Sequence, residues 1–168
     1  MTDYAFATTP ALACPYCGRR IDADTAWAAR ARDRWGWCGV TASSGGVVEG
    51  ALLLTPTTSG NALLKALWVD AEHTGRGVGK HLVQTAAAGL LKRDVRYLCA
   101  QPATAAPSCE CPPPGFLRRV GFEPMGRGPL HRLDLGGTVV EPNHIRATLE
   151  RLLAGLRPLS PEAATRND

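Results

Sequence analysis

The residues best suited to chemistry are Thr74-Gly75-Arg76-Gly77-Val78-Gly79-Lys80. The apolar run Leu63–Val69 precedes them and the helix-patterned segment His81–Lys92 follows, so the turn opens a helix N-terminus. Its glycines let the main chain approach a ligand closely. The unpaired first-turn N–H groups and the positive end of the helix dipole then face an anion, and a phosphorylated ligand is expected. Spacing excludes two common phosphate motifs. A Walker A loop needs glycine where the chain has Thr74, and a hydroxyl where it has His81. A dinucleotide fingerprint begun at Gly75 or Gly77 needs glycine where the chain has Lys80 or Leu82.

Cys14-Pro15-Tyr16-Cys17-Gly18 matches both a dithiol redox motif and a zinc knuckle. A redox site continues into a helix that Gly18 would break at once. Zinc needs four ligands, and Cys38, Cys109, Cys111 or a histidine would have to supply the rest without repeating the knuckle spacing. Buried or incidental thiols are the leading account. No metal ligand is assigned, and zinc remains a subordinate alternative.

The elements that must position the turn are legible in outline. Tyr4–Thr8 reads as a strand and Ala23–Trp35 as a helix, with Asp22 or Asp24 as its N-cap. Trp37–Ala42 and Val47–Leu54 read as a hairpin turned by Ser43-Ser44-Gly45-Gly46. In the helix after the glycine turn, Val78, Leu82, Val83, Ala86, Leu90 and Leu91 recur on one face. Val95–Cys99 completes a βαβ unit as a strand parallel to Leu63–Val69, which sets the turn at the carboxyl end of a parallel strand. Pro102–Pro114 holds five of the 13 prolines and reads as a loop. A short helix at Phe116–Phe122, a strand at Leu130–Leu135 and a helix at His144–Leu156 follow, with Ser160–Asp168 as a loose tail.

A length of 168 residues fits one domain, and 45% hydrophobic with 20% charged content is that of a globular chain. A net charge of +4 with dispersed arginines favours an anionic ligand over nucleic acid. Apolar stretches are too short for a membrane span, and Met1–Pro10 has no signal pattern, so a cytoplasmic, reducing location is expected.

Gly77 and Gly79 fit the Gln/Arg-x-x-Gly-x-Gly/Ala pattern, with Thr74 in place of the Gln/Arg. Together with Val69–His73, Leu82-Val83-Gln84, Gly121-Phe122 and Leu133-Asp134-Leu135, the chain resembles the GCN5-related N-acetyltransferases (GNAT), in an actinobacterial form. The resemblance implies an α+β fold, layered α/β/α, with a mixed central sheet and a splayed parallel pair. It implies a single GNAT domain over 1–157, best matched over 37–135 and shortened on its substrate side, with 158–168 as a flexible tail.

By the same resemblance, acetyl-CoA lies where the parallel strands part. Leu67, Trp68 and Val69 offer backbone groups to its pantetheine arm, and Thr74, Gly75, Arg76, Gly77, Val78, Gly79 and Lys80 hold its diphosphate. The Val69 N–H is the expected oxyanion donor. Acetyl transfer to an amine calls for a base and an acid. Leu117 stands where relatives carry an acidic tyrosine, so Cys111 is taken as acid, with Tyr97 or a water as alternatives, and Glu49 as base, ahead of Asp70 and His73. His131 and His144 have no visible partner. The implied activity is acetyl-CoA-dependent N-acetyltransfer to a small-molecule or protein amine, without nucleic acid or membrane and with a homodimer left open. A non-catalytic CoA-binding or interaction module of the same fold is the alternative, and a zinc-stabilised binding protein a third reading.

Overall fold

A computed structural model of the chain describes residues 1–9, 13–18, 20 and 25–138. The expected helix at His144–Leu156, the tail, the boundary at 157 and the caps Asp22 and Asp24 lie outside those residues.

The hairpin forms between β2 (Gly39–Ser44) and β3 (Val47–Pro56). Its turn is Gly45-Gly46, both with positive φ (56° and 82°), the left-handed pair that a two-residue hairpin turn needs. β1 (Asp3–Ala7) lies antiparallel outside β2, and β4 (Ala62–Val69) antiparallel to β3. β5 (Tyr97–Ala100) runs parallel to β4, as expected of the βαβ unit. β6 (Glu123–Pro124), which the sequence did not reveal, and β7 (His131–Asp134) complete a mixed sheet ordered β1-β2-β3-β4-β5-β7-β6 among the described residues.

α1 (Ala26–Trp35) packs on β3 and ends where Gly36, at φ 84°, returns its N–H to the Arg32 carbonyl at 2.7 Å. α2 (Val78–Leu91) packs against β1 to β4 through Val78, Leu82, Val83, Ala86 and Leu90, the face its periodicity predicts. It begins three residues before His81, because Gly77 at φ 85° turns the chain directly into the helix. Gly50 of β3 permits the close seating of α2: a Cβ there would lie 3.0 Å from the Trp68 carbonyl and 3.2 Å from Leu82 Cδ1. α3 (Pro114–Arg119) follows the proline-rich loop, and a short α4 (Leu135–Thr138) packs on α2. Among the described residues no helix is long and apolar enough to cross a membrane.

Two bulges shape the sheet around the site. Leu53 pairs with Ala66 and Leu54 with Leu64, so Lys65 is an extra residue in β4. β5 meets β4 only at Ala62 and Leu63, before that bulge. A bulge bends its strand and increases its twist, and from Leu64 onward β4 runs free of β5. This is the expected splay. In β3, Ala42 pairs with Gly50 and Ser43 with Val48, which makes Glu49 the extra residue of a second bulge.

Leu82 is fully buried between α2 and the hairpin. Leu82→Ala is expected to cost about 2–5 kcal/mol, since Gly50 opposite has no side chain to fill the space. A urea unfolding midpoint compared with the parent reads this loss.

Candidate active site

Backbone direction decides which β4 groups reach the opening. The Asp70 N–H bonds the Glu49 carbonyl at 2.7 Å, toward β3. Alternation along a strand then turns Trp68 toward β3 as well, and Leu67 and Val69 away from it. Two contacts agree. The Leu67 N–H donates to the Cys109 carbonyl at 2.7 Å, and the Val69 carbonyl accepts the Tyr16 hydroxyl at 2.5 Å. The three strand residues expected to offer backbone groups therefore play different parts. Trp68 contributes its side chain, Leu67 is capped by the loop, and Val69 directs its amide into the opening.

A cavity of about 400 Å³ fills this opening, between Trp68 and Val69 of β4, Tyr16, the loop at Cys109 and Pro113, and Phe116 of α3. Through Val69, Thr74, Gly79 and Phe116 it adjoins a second cavity of about 370 Å³ over the glycine turn. Gly75 and Gly77 take φ of 80° and 85°, a region that L side chains rarely adopt. At Gly79 a Cβ would meet Phe116 at 3.1 Å. Thr74 hydrogen-bonds the Asp70 carbonyl at 3.1 Å, which ties the turn back to the end of β4.

The cations divide differently from the expectation. Lys80 lines the turn cavity, and so does Arg119 of α3, which the sequence reading did not single out; Arg76 lines another cavity beside Glu49. Lys80 and Arg119 also border a fourth cavity, of about 440 Å³, with Tyr97 and Arg132. Tyr97 is stacked there under Arg132 and Arg96, at 4.7 and 5.1 Å, apart from the Val69 opening.

The residues expected to transfer protons are not brought together. The bulge turns Glu49 inward until it is 5% exposed, where it accepts the Thr2 hydroxyl at 3.0 Å and faces His73 Nε2 at 3.2 Å. Burial first, and then this carboxylate, hold the Tyr4 phenol above its usual pKa. The Glu49 cavity meets the turn cavity at His73 and Val78, and neither Tyr16 nor Cys109 lines it. His73 Nδ1 is buried without a hydrogen-bond partner. Cys111 is half-buried in a tight turn with Ser108, and Cys109 rather than Cys111 lines the cleft. Burial, followed by contact with Cys17 and Cys14, pushes the Cys109 thiol up to about 12. Leu117 is wholly buried and supplies none. Tyr16 brings the hydroxyl to Val69 instead. The sequence offered one signal for it, a tyrosine inside the cysteine motif.

A family model described as acetyltransferase (GNAT) family matches residues 7–111, from the end of β1 through the Cys111 turn. The chain belongs to this family. Solved structures that share the fold include Ard1 from Thermoplasma volcanium, 12% identical over 78% of this chain and 94% of that one, at a TM-score of 0.57. A GNAT-family acetyltransferase from Staphylococcus aureus is 14% identical over 68% and 80%, at 0.53. The PaiA N-acetyltransferase from Thermoplasma acidophilum, solved in complex with coenzyme A, is 16% identical over 64% and 66%, at 0.51. A comparison with the curated proteins found no match. In this GNAT chain the splay and the glycine turn lie within the matched span, whereas α3 with Arg119 lies beyond it.

Glu49→Ala is expected to destabilise the GNAT domain by about 1–3 kcal/mol, because Thr2 and His73 lose a buried acceptor. Chemical denaturation measures it, and an unchanged midpoint would mean that the carboxylate is dispensable to the fold.

Proposed function

We propose that the protein is an N-acetyltransferase that moves the acetyl group of acetyl-CoA directly to an amine of a small molecule or a protein. The observation that carries this reading is the junction at Val69: an outward-facing strand amide, an apolar cleft and a positive-φ glycine turn meet at one residue. On this reading, Thr74 to Lys80 receive the diphosphate, with Arg119 as an added cation, and the pantetheine arm follows Leu67 to Val69. The amine nitrogen attacks the thioester carbonyl carbon, and the Val69 N–H stabilises the oxygen that becomes negative. Breaking the carbon–sulfur bond frees a thiolate, which takes the Tyr16 phenolic proton. Tyr16 recovers a proton from the attacking amine, so acetylated amine and CoA leave with protons balanced. Glu49 takes no proton in this sequence and acts only by holding the His73 ring beside the glycine turn.

The occupied Leu67 amide and the buried Leu117 favour a second reading, in which the domain binds CoA without turnover and acts by interaction. CoA binding without acetyl release to any amine would select it.

Acetyl-CoA at a hundred times its dissociation constant is expected to stabilise the protein by about 2.7 kcal/mol, read as a saturable rise in Tm. Gly77→Glu, which puts a carboxylate in the turn, should weaken this binding at least tenfold; a folded parent that shows no rise would overturn the assignment. With a competent amine, Tyr16→Phe should lower kcat by roughly a hundredfold and leave the KM for acetyl-CoA unchanged. Unaltered kcat would remove Tyr16 from the chemistry.

A further inference from the structure

The fold unites two cysteine segments that are distant in sequence. Cys14, Cys17 and Cys109 each place a sulfur within 4.8 Å of the other two, and Cys17 and Cys109, 92 residues apart in sequence, stand 3.6 Å apart. A tetrahedral zinc with zinc–sulfur bonds of about 2.3 Å spaces its sulfurs by about 3.8 Å. A disulfide, at about 2.05 Å, would join two of the three and leave the third unused. Cys14 and Cys17 share one tight turn. Gly18, at φ 65°, returns its N–H to the Cys14 carbonyl at 2.9 Å and so folds the Cys-Pro-Tyr-Cys turn around its sulfurs.

We propose that Cys14, Cys17 and Cys109 bind a structural zinc ion, with Cys111 as the fourth ligand. Cys111 belongs to the same turn as Cys109, closed by paired Ser108–Cys111 backbone hydrogen bonds of 3.1 and 3.2 Å; it lies outside the present sulfur cluster, and its side chain would have to turn toward the ion on binding. Four soft sulfur donors with no open position make a closed structural site. The two remaining cysteines lie elsewhere: Cys38 donates to the Ala7 carbonyl, and Cys99 contacts Met125.

The site has a mechanical role. Segment 13–18 contains no helix or strand beyond an isolated bridge between Ala13 and Arg20, and the cleft loop before α3 is equally irregular. Both touch the free side of β4, through Tyr16 on Val69 and Cys109 on Leu67. One ion would clamp them to each other and hold Tyr16, which lies between two of its ligands, over the cleft. The metal assignment stands independently of the acetyltransferase reading.

The test uses the full chain, purified under reduction without chelator or an immobilised-metal step. Elemental analysis should find one zinc per chain, and a mercurial titration should release it with about four thiol equivalents. Added cobalt(II) should give the intense sulfur-to-metal charge-transfer absorption of a tetrahedral thiolate site. Cys14→Ser, Cys17→Ser and Cys109→Ser should each abolish stoichiometric metal, Cys111→Ser should weaken retention against a chelator at least tenfold, and Cys38→Ser and Cys99→Ser should leave it intact. If the variants fail to fold, the cobalt spectrum of the parent decides alone. A folded, reduced parent that carries no zinc and gives no cobalt–thiolate band overturns the proposal, as does a loss of two thiols to a disulfide between any of these cysteines.

Discussion

The cleft exists because β4 is released from β5. Two parallel strands in register would satisfy each other's backbone groups along their whole length, but here pairing stops at Leu63, one residue before the bulge region around Lys65. Past that point the outward amides and carbonyls of β4 need partners from elsewhere, since buried backbone polar groups left unpaired are costly. Tyr16 and Cys109 meet part of this demand at Val69 and Leu67. The opening is therefore a sheet edge inside the domain, and what lies along it is chosen by hydrogen bonding as much as by shape.

The site divides between a rigid half and an adaptable half. The glycine turn is fixed because Gly77 leads straight into α2, and α2 is seated on the hairpin through the missing side chain of Gly50. Binding of a common anionic group suits such a scaffold. The opposite wall comes from the Cys-Pro-Tyr-Cys segment, the proline-rich loop and Phe116, which are held by a few specific contacts. Walls of that kind can vary between related chains without disturbing the sheet, which suits recognition of an acceptor.

Regular periodicity made the framework legible in the sequence. The α2 face, the Gly45-Gly46 hairpin turn and the parallel β4–β5 pair follow from local rules, and each was found within a few residues. Bulges were not legible, because Glu49 and Lys65 each sit inside an otherwise continuous strand pattern and only the cross-strand pairing shows that a residue is extra. Glu49 illustrates the consequence. In the sequence it stood as the candidate base, a carboxylate within the hairpin, yet as the extra residue of a bulge it turns inward to His73, and Cys111, the candidate acid, is not beside it. Arg119 and Tyr16 escaped notice for another reason: each reaches the cleft through tertiary contacts that no local spacing encodes. Cys109 was named among the residues that could complete a zinc site, but its approach to Cys14 and Cys17 depends on the loop crossing β4 and no spacing singles it out.

The Leu67–Cys109 hydrogen bond also makes the loop an internal competitor. A carbonyl tethered in the same molecule presents itself to the Leu67 amide at a high effective concentration, set by the short loop that carries it. Any ligand chain that uses this amide must displace that carbonyl, and its measured affinity is lowered by the fraction of molecules in which the loop is in place. Selectivity follows from the same competition. A ligand that offers the strand only one weak contact would lose to the tether, while one held as proposed above, at the glycine turn and along Val69, would have other contacts to set against the lost bond.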